Sequence, residues 1–398
     1  MKQALLGLDI GSTNSKGILI DENGNELALV KAPTGSFSSV KECLTALGEI
    51  TKGYDIKGLA VSGVGSGGIF LDENDNKLRL APKKNIDPAA FVTDEEFANI
   101  TGYPKSGAGA GHNLCALMAE NPEEAKKVRT FMSHGDYINF LLTGVKRRDL
   151  STSSSLSFQD KRTGENWHEY IKHTGIDPDI LPPLVKSSEF IGEVNTAEYN
   201  LPLGIPVFAG GHDYLCAVFA VGGTAKDECV NILGTFDMIT VATEKFKQDI
   251  YTKDFFIFQD NHVYPGKFAT TIEIHGVKYI FEHYPELGKN LTERFVNMDK
   301  DPNSEPLLKK ALSEINEISV KALEYLRKLY PNINKIKAVG GGSNSKEWMK
   351  SKEAAFGMPV LVPQVSEASA MGAALIAGVG AGVFNSFEYA TNLYKKGE

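Results

Sequence analysis

The chain opens on an apolar run that ends in a carboxylate, turns through a glycine and passes straight into another apolar run. Residues 4–10 (ALLGLDI) read as a strand, Gly11–Ser15 as a polar turn and Gly17–Ile20 as a second strand. Asp21-Glu22-Asn23-Gly24 then forms an Asn-Gly hairpin turn into a third strand at Glu26–Val30. This order excludes two common phosphate-binding designs. A Rossmann site and a P-loop both place a helix directly after the glycine turn, and here a strand follows.

The rest of the chain extends that start. Ser39–Thr51 reads as a helix, and Ile56–Ser62 as a strand ending in Gly63-Val64-Gly65-Ser66-Gly67-Gly68. A glycine cluster at a strand's carboxyl end suits a crevice site in an open α/β sheet. Residues 112–142 read as helical, with Pro122 near a helix start, and 143–190 as loop-rich. The Ser151–Ser155 run fits a turn or cap as well as any functional role. A second half is expected from about Pro206, where a strand leads into Gly210-Gly211-His212-Asp213 and a helix over Leu215–Val221. The opening pattern then recurs. Cys229–Leu233 is a strand, Gly234-Thr235 a turn and Met238–Ala242 a strand; a helix over about Pro306–Leu329 precedes Lys335–Val339 and Gly340-Gly341-Gly342-Ser343. Both halves run hairpin, helix, strand, glycine loop. With 398 residues, too many for one ordinary core, this self-similarity predicts a duplicated α/β domain with a cleft between the copies, divided at 222/223.

Composition removes other classes. Net charge is -8 with no Lys/Arg-rich run, which argues against a nucleic-acid or anionic-membrane surface. The four cysteines form no C-x-x-C pair, so zinc-ligand spacing is absent; buried thiols in a reducing cytoplasm are expected. The first residues do not read as a signal peptide, and no apolar run is long enough to span a bilayer.

Four positions carry chemistry. In the first loop, Gly11 lets backbone approach an anion, Ser12, Thr13 and Asn14 add donors, and Asp9 can hold Mg2+ through water. The alternative is a polar turn capped by Asp9. Gly234-Thr235 repeats that chemistry in miniature. Gly340–Ser345 lets a flat group lie against bare backbone, with Ser345 as N-cap of a helix over Lys346–Phe356. Asp213, at a strand-to-helix corner behind two glycines, is a candidate base for a hydroxyl accepting a phosphoryl group, or a helix cap. His212 is a substrate contact, a packed imidazole or, least favoured, a zinc ligand. The small-residue run Ala368–Ala374 would let a helix pack very close to its neighbour.

Taken together these stretches resemble the FGGY carbohydrate kinases (xylulokinase, gluconokinase and glycerol kinase among them), within the ribonuclease H-like fold group of actin, hexokinase and Hsp70. The resemblance spans nearly the whole chain. It rests on the opening L-G-L-D-I-G-S-T-N-S-K-G, Asp136–Gly144, Trp167, Leu181-Pro182, Gly210–Asp213, Gly340–Ser345 and Glu367–Gly382. It implies ATP and Mg2+ as cofactors, Asp213 as general base, and Asp9 with Asp213 near the metal. It also implies a phosphate and nucleotide site built from Gly11–Asn14, Lys16, Gly234, Thr235, Gly276, Gly341, Gly342, Asn344 and Ser345. Substrate contacts are expected from Ser66, Asp87, His212, Asp213 and Tyr214. The chain departs from the family on the sugar side. A G-Q-M-H-G-like loop is reduced to Gly63–Gly67, and a Trp-x-Asp to Asn85-Ile86-Asp87. A segment is missing between about Pro285 and Pro306, and the chain stops soon after Tyr394. The expectation is a cytoplasmic ATP-dependent kinase for a sugar, polyol or sugar acid, monomeric or homodimeric. The alternatives are a degenerate kinase acting as a sugar or nucleotide sensor, and an actin- or Hsp70-like ATPase switch.

Overall fold

The computed structural model describes residues 1–11, 14–34, 40–65, 67–78, 87, 89–105, 109–120, 122–234, 236–274, 276–287 and 305–394. The expected site residues Ser12, Thr13, Ser66 and Thr235 lie outside them, as do Asn85 and Ile86 and most of the stretch where a segment is missing.

The first sheet grows from the opening hairpin. Strand β1 (Lys2–Ile10) is buried from Ala4 onward and pairs antiparallel with β2 (Asn14–Ile20), which pairs antiparallel with β3 (Glu26–Pro33). The Asn-Gly turn forms as its residues require. Gly24 takes a φ of 84°, and the Asp21 carboxylate accepts the backbone N–H groups of Asn23 and Asn25. Helix α1 (Lys41–Gly48) buries Leu44 and Leu47 against this hairpin. The chain then returns as β4 (Tyr54–Gly63), parallel to β1.

The helical stretch expected over 112–142 is broken by a strand. Thr130–Met132 is fully buried and pairs with Ile69–Leu71, so a small sheet interrupts the helices there. Ser133 then caps α2 (His134–Thr143), its Oγ accepting the Asp136 N–H at 3.2 Å. Strand β5 (Phe190–Glu193) is antiparallel to β6 (Pro206–His212), and β6 is parallel to β4. The strand at Pro206 therefore belongs to the first sheet and does not begin the second half. The sheet order is β5-β6-β4-β1-β2-β3. Helix α3 (Asp213–Ala220) leaves from the end of β6.

The second sheet repeats the scheme. Its strands are β7 (Glu228–Leu233), β8 (Asp237–Thr243), β9 (Phe256–Asn261), β10 (Phe268–Glu273), β11 (Lys335–Val339) and β12 (Val360–Leu361), in the order β9-β10-β8-β7-β11-β12. β7 pairs with β8 antiparallel and β11 parallel, as β1 pairs with β2 and β4; β12 lies parallel to β11, as β6 does to β4. Matching pairing senses at four strand positions bear out the duplication. Helices α4 (Gly276–His283), α5 (Glu305–Leu329) and α6 (Lys346–Phe356) belong to this unit. Helix α7 (Ala368–Gly380) does not. It lies across β1 and β4 and against α3, so the end of the chain packs on the first sheet. Among the described residues, no helix is long and apolar enough to cross a membrane.

Candidate active site

Three parallel strands of the first sheet end side by side. Asp9 pairs in register with Ser62, and His212 with Gly63. Asp9 is buried at the end of β1, where its Oδ1 accepts the Ser62 hydroxyl at 3.0 Å and its Oδ2 accepts the Lys16 ammonium at 3.1 Å. Burial raises the Asp9 pKa to about 6, against the pull of Lys16 and with added repulsion from Asp213. Lys16 also faces Glu367 at 3.6 Å. Burial disfavours its charge, yet Asp9, Glu367 and Asp213 together hold the Lys16 pKa above the ordinary lysine value.

The corner at β6 is built from bare backbone. A Cβ at Gly210 would fall 2.7 Å from the Val61 carbonyl carbon, and one at Gly211 would fall 2.6 Å from Ser151 Oγ. Asp213 begins α3 with its side chain 30% exposed, and its Oδ1 accepts the Tyr214 N–H at 2.7 Å. The helix-capping alternative fails: His212 holds the cap position, without a side-chain cap bond. The His212 ring lies on Gly65, where a Cβ would sit 3.0 Å from its Nδ1. Its Nε2 is 3.6 Å from Asp213 Oδ1, and its Nδ1 is 3.9 Å from Asp260 Oδ2.

Tyr214 does not reach the cleft. Successive helical residues diverge by about 100°, so with Asp213 facing outward Tyr214 turns into the core. There its hydroxyl donates to Asp260 Oδ2 at 2.7 Å. Asp87 Oδ1 accepts the Ala89 N–H at 2.9 Å, and its other oxygen faces Lys105 at 3.5 Å. That carboxylate is therefore engaged in its own turn.

Sequence reasoning missed the supports behind the corner. Ser151 Oγ accepts the His212 N–H at 2.9 Å and donates to Asp149 Oδ1 at 2.6 Å, while Ser155 Oγ donates to the Gly65 carbonyl at 2.8 Å. The serine run thus braces both the β6–α3 corner and the glycine loop. Asp260, fully buried on β9 of the second sheet, takes the Tyr103 hydroxyl at 2.7 Å as well as that of Tyr214. Neither support has a local sequence signal, because each partner comes from a distant segment.

Asp136 lies deeper, accepting the Asp149 N–H at 2.9 Å. Burial, with repulsion from Asp149, lifts its pKa from 3.8 to about 7. Between those values this group holds fewer protons in the unfolded chain than in the folded one, so its contribution to stability falls as pH rises from about 4 to 7. The slope is up to about 1.4 kcal/mol per pH unit. Asp136→Asn keeps an oxygen for Asp149 and should flatten that slope, raising the melting temperature at pH 8 more than at pH 5. An unchanged slope in thermal melts across this range would remove Asp136 as its source.

In the second unit two glycine-bearing segments close on the residues either side of Gly234. Gly234 N–H donates to the Phe236 carbonyl at 3.0 Å. A Cβ at Gly340 would meet the Leu233 carbonyl oxygen at 2.6 Å, one at Gly342 the Leu233 Cβ at 2.8 Å, and one at Gly276 the Asp237 nitrogen at 2.8 Å. Gly340 also needs its φ of 97°. Asn344 is exposed beside Gly341. Ser345 caps α6 as expected, its Oγ accepting the Trp348 N–H at 3.3 Å, so that side chain serves the helix.

Comparison with known proteins agrees with this arrangement. The N-terminal domain model of the FGGY family of carbohydrate kinases matches residues 4–220, and the C-terminal domain model matches 319–381. The chain is 24% identical to the xylulose kinase of Bacillus subtilis (strain 168) over 96% of this chain and 89% of that one. It is 23% identical to the L-fuculokinase of Escherichia coli (strain K12) over 98% and 95%. Among solved structures, the xylulose kinase from Rhodospirillum rubrum aligns with a TM-score of 0.81 at 20% identity, covering 98% of this chain and 92% of that chain. The glycerol kinase of Plasmodium falciparum with ADP gives 0.82 at 14% identity over 99% and 92%. These likenesses establish the two-domain actin- and hexokinase-type fold. With the family model covering more than half of its residues, the chain belongs to the FGGY family of carbohydrate kinases, phosphotransferases acting on an alcohol group.

Proposed function

We propose that the protein transfers the γ-phosphoryl group of ATP to a hydroxyl of a sugar, polyol or sugar acid, with Asp213 as general base. The observation that carries this reading is the corner itself. A partly exposed carboxylate stands at the carboxyl edge of the first sheet, close enough to Asp9 to add to the rise that burial gives that residue's pKa. Asp213 accepts the hydroxyl proton as the oxygen attacks in line. The first unit (1–222) supplies the sugar side and the loop Gly11–Asn14 with Lys16. The second (223–398) supplies Gly234, Thr235, Gly276, Gly341, Gly342 and Asn344 for the nucleotide, although α7 packs back on the first.

The Asp9 and Asp213 carboxylates, near enough that Asp213 adds to the rise that burial gives the Asp9 pKa, form a hard oxygen donor set that suits Mg2+. Asp9 and Asp213 would hold it through water, where it would offset phosphate charge. His212, lying on bare Gly65, occupies the space a loop side chain would take and is our candidate reader of the sugar. Closure of the cleft would exclude water that otherwise consumes ATP. Four buried thiols fit a reducing, cytoplasmic setting.

The relatives named as xylulose kinases make ketopentoses the first substrates to try. The test is a coupled ADP-release screen across ketoses, aldoses, polyols and sugar acids. ADP release that depends on one sugar class supports the kinase. Sugar-independent release would favour an ATPase switch, and no response at all a sensor.

A further inference from the structure

A buried ion pair lies under the second phosphate turn, and the chemistry proposed above does not use it. Asp237 opens β8, Lys352 lies on α6, and both side chains are 0% exposed with Nζ 2.9 Å from Oδ2. Every polar atom of the pair is engaged. Asn231 Nδ2 donates to the other Asp237 oxygen. Lys352 also donates to Ser319 Oγ at 3.1 Å, and Ser319 in turn donates to the Ile315 carbonyl at 2.9 Å. The rings of Trp348 and Phe356 flank the ammonium at 5.7 and 5.3 Å.

Apolar residues of similar volume would fill this space at less desolvation cost. What the charges add is direction. Asp237 follows Phe236, whose carbonyl accepts the Gly234 N–H at 3.0 Å; the Asp237 carbonyl accepts the Ile274 N–H at 2.7 Å, and its backbone abuts Gly276. Lys352 rides on the helix whose first turn follows the Gly340–Ser345 loop. We propose that Asp237 and Lys352 are positioning residues that bolt the start of β8 to α6, holding the backbone at Gly234 and Gly276, on either side of it, where they meet the nucleotide's polyphosphate. This rests on the nucleotide site proposed above. The adenosine side has its own support, because Ser345 caps α6 without help from the pair.

That asymmetry gives the test. Lys352→Met alone strands a buried carboxylate and endangers folding, so the informative variant is Asp237→Asn with Lys352→Met, which keeps volume and the Asn231 bond. Mg·ADP and adenosine are titrated calorimetrically at a temperature well below melting. Affinity for Mg·ADP should fall about tenfold, the scale of one lost charge-assisted hydrogen bond, while adenosine affinity stays within about twofold of wild type. Wild-type affinity for Mg·ADP in the neutral variant would overturn the proposal. So would equal losses for both ligands, which a merely structural pair would give. Wild-type protein that binds no Mg·ADP would instead refute the nucleotide site itself.

Discussion

Asp213→Asn should lower sugar-dependent turnover by about 10²–10⁴-fold, the usual scale for a positioned general base, while Mg·ATP binding is retained. The substitution is conservative in shape. Asp213 Oδ1 accepts the Tyr214 N–H at 2.7 Å, and an amide oxygen can do the same, so the start of α3 need not move. What disappears is the capacity to take a proton, together with a negative charge that acts on Asp9. The second loss has its own signature. Asp213 is among the causes that raise the Asp9 pKa to about 6, so in the variant Asp9 should ionise at lower pH. That opposes the loss of one of the two carboxylates proposed to hold the metal, so Mg·ATP affinity near pH 6 should change little from wild type. Initial rates at saturating sugar, with nucleotide binding measured directly, separate the two effects. Normal turnover would remove Asp213 from the mechanism.

Much of this site was legible in the sequence because its signals are local. Gly11 after an apolar strand, Gly24 in a hairpin and Gly340–Ser345 before a helix each announce a backbone conformation that their neighbours complete. The strand Lys335–Val339 and the helix Lys346–Phe356 fall where periodicity and capping place them. What was not legible depends on partners far along the chain. Strand β6 sits in the first sheet because β4 accepts it in parallel, about 150 residues from where β4 begins. Thr130–Met132 becomes a strand because Ile69–Leu71 offers an edge. Tyr214 follows a cleft residue in sequence, but helical rotation sends it to Asp260 on the other sheet. Asp149 and Ser151 resemble ordinary cap residues until the His212 N–H is found on Ser151. Polar positions that work through one tertiary hydrogen bond carry no periodicity to detect.

Gly372→Val should be among the most destabilising single substitutions in the chain, at about 3–5 kcal/mol. The small-residue run Ala368–Ala374 was expected to allow close helix packing, and α7 does pack backbone to backbone. A Cβ on Gly372 would fall 2.9 Å from the Cys216 Cα and closer still to that residue's carbonyl, while one on Gly7 of β1 would fall 2.9 Å from the Ala374 Cβ. The helix is thus held on both sides by main chain, which no rotamer change can move aside. Relief requires sliding α7 away from α3, and that would pull Ala373 and Ala377 off Ala60. The shift would also reach the proposed active site, because Glu367 at the start of α7 pairs with Lys16 at 3.6 Å and with Lys31. Thermal melts of Gly372→Val, with the half-exposed Ser369→Val on the same helix as control, should show a fall on the order of 10 °C for the first and little change for the second. Any Gly372→Val protein that remains folded should also lose Mg·ATP affinity as Lys16 loses its second carboxylate. A melting temperature within a degree or two of wild type would mean that α7 does not lie this close to α3.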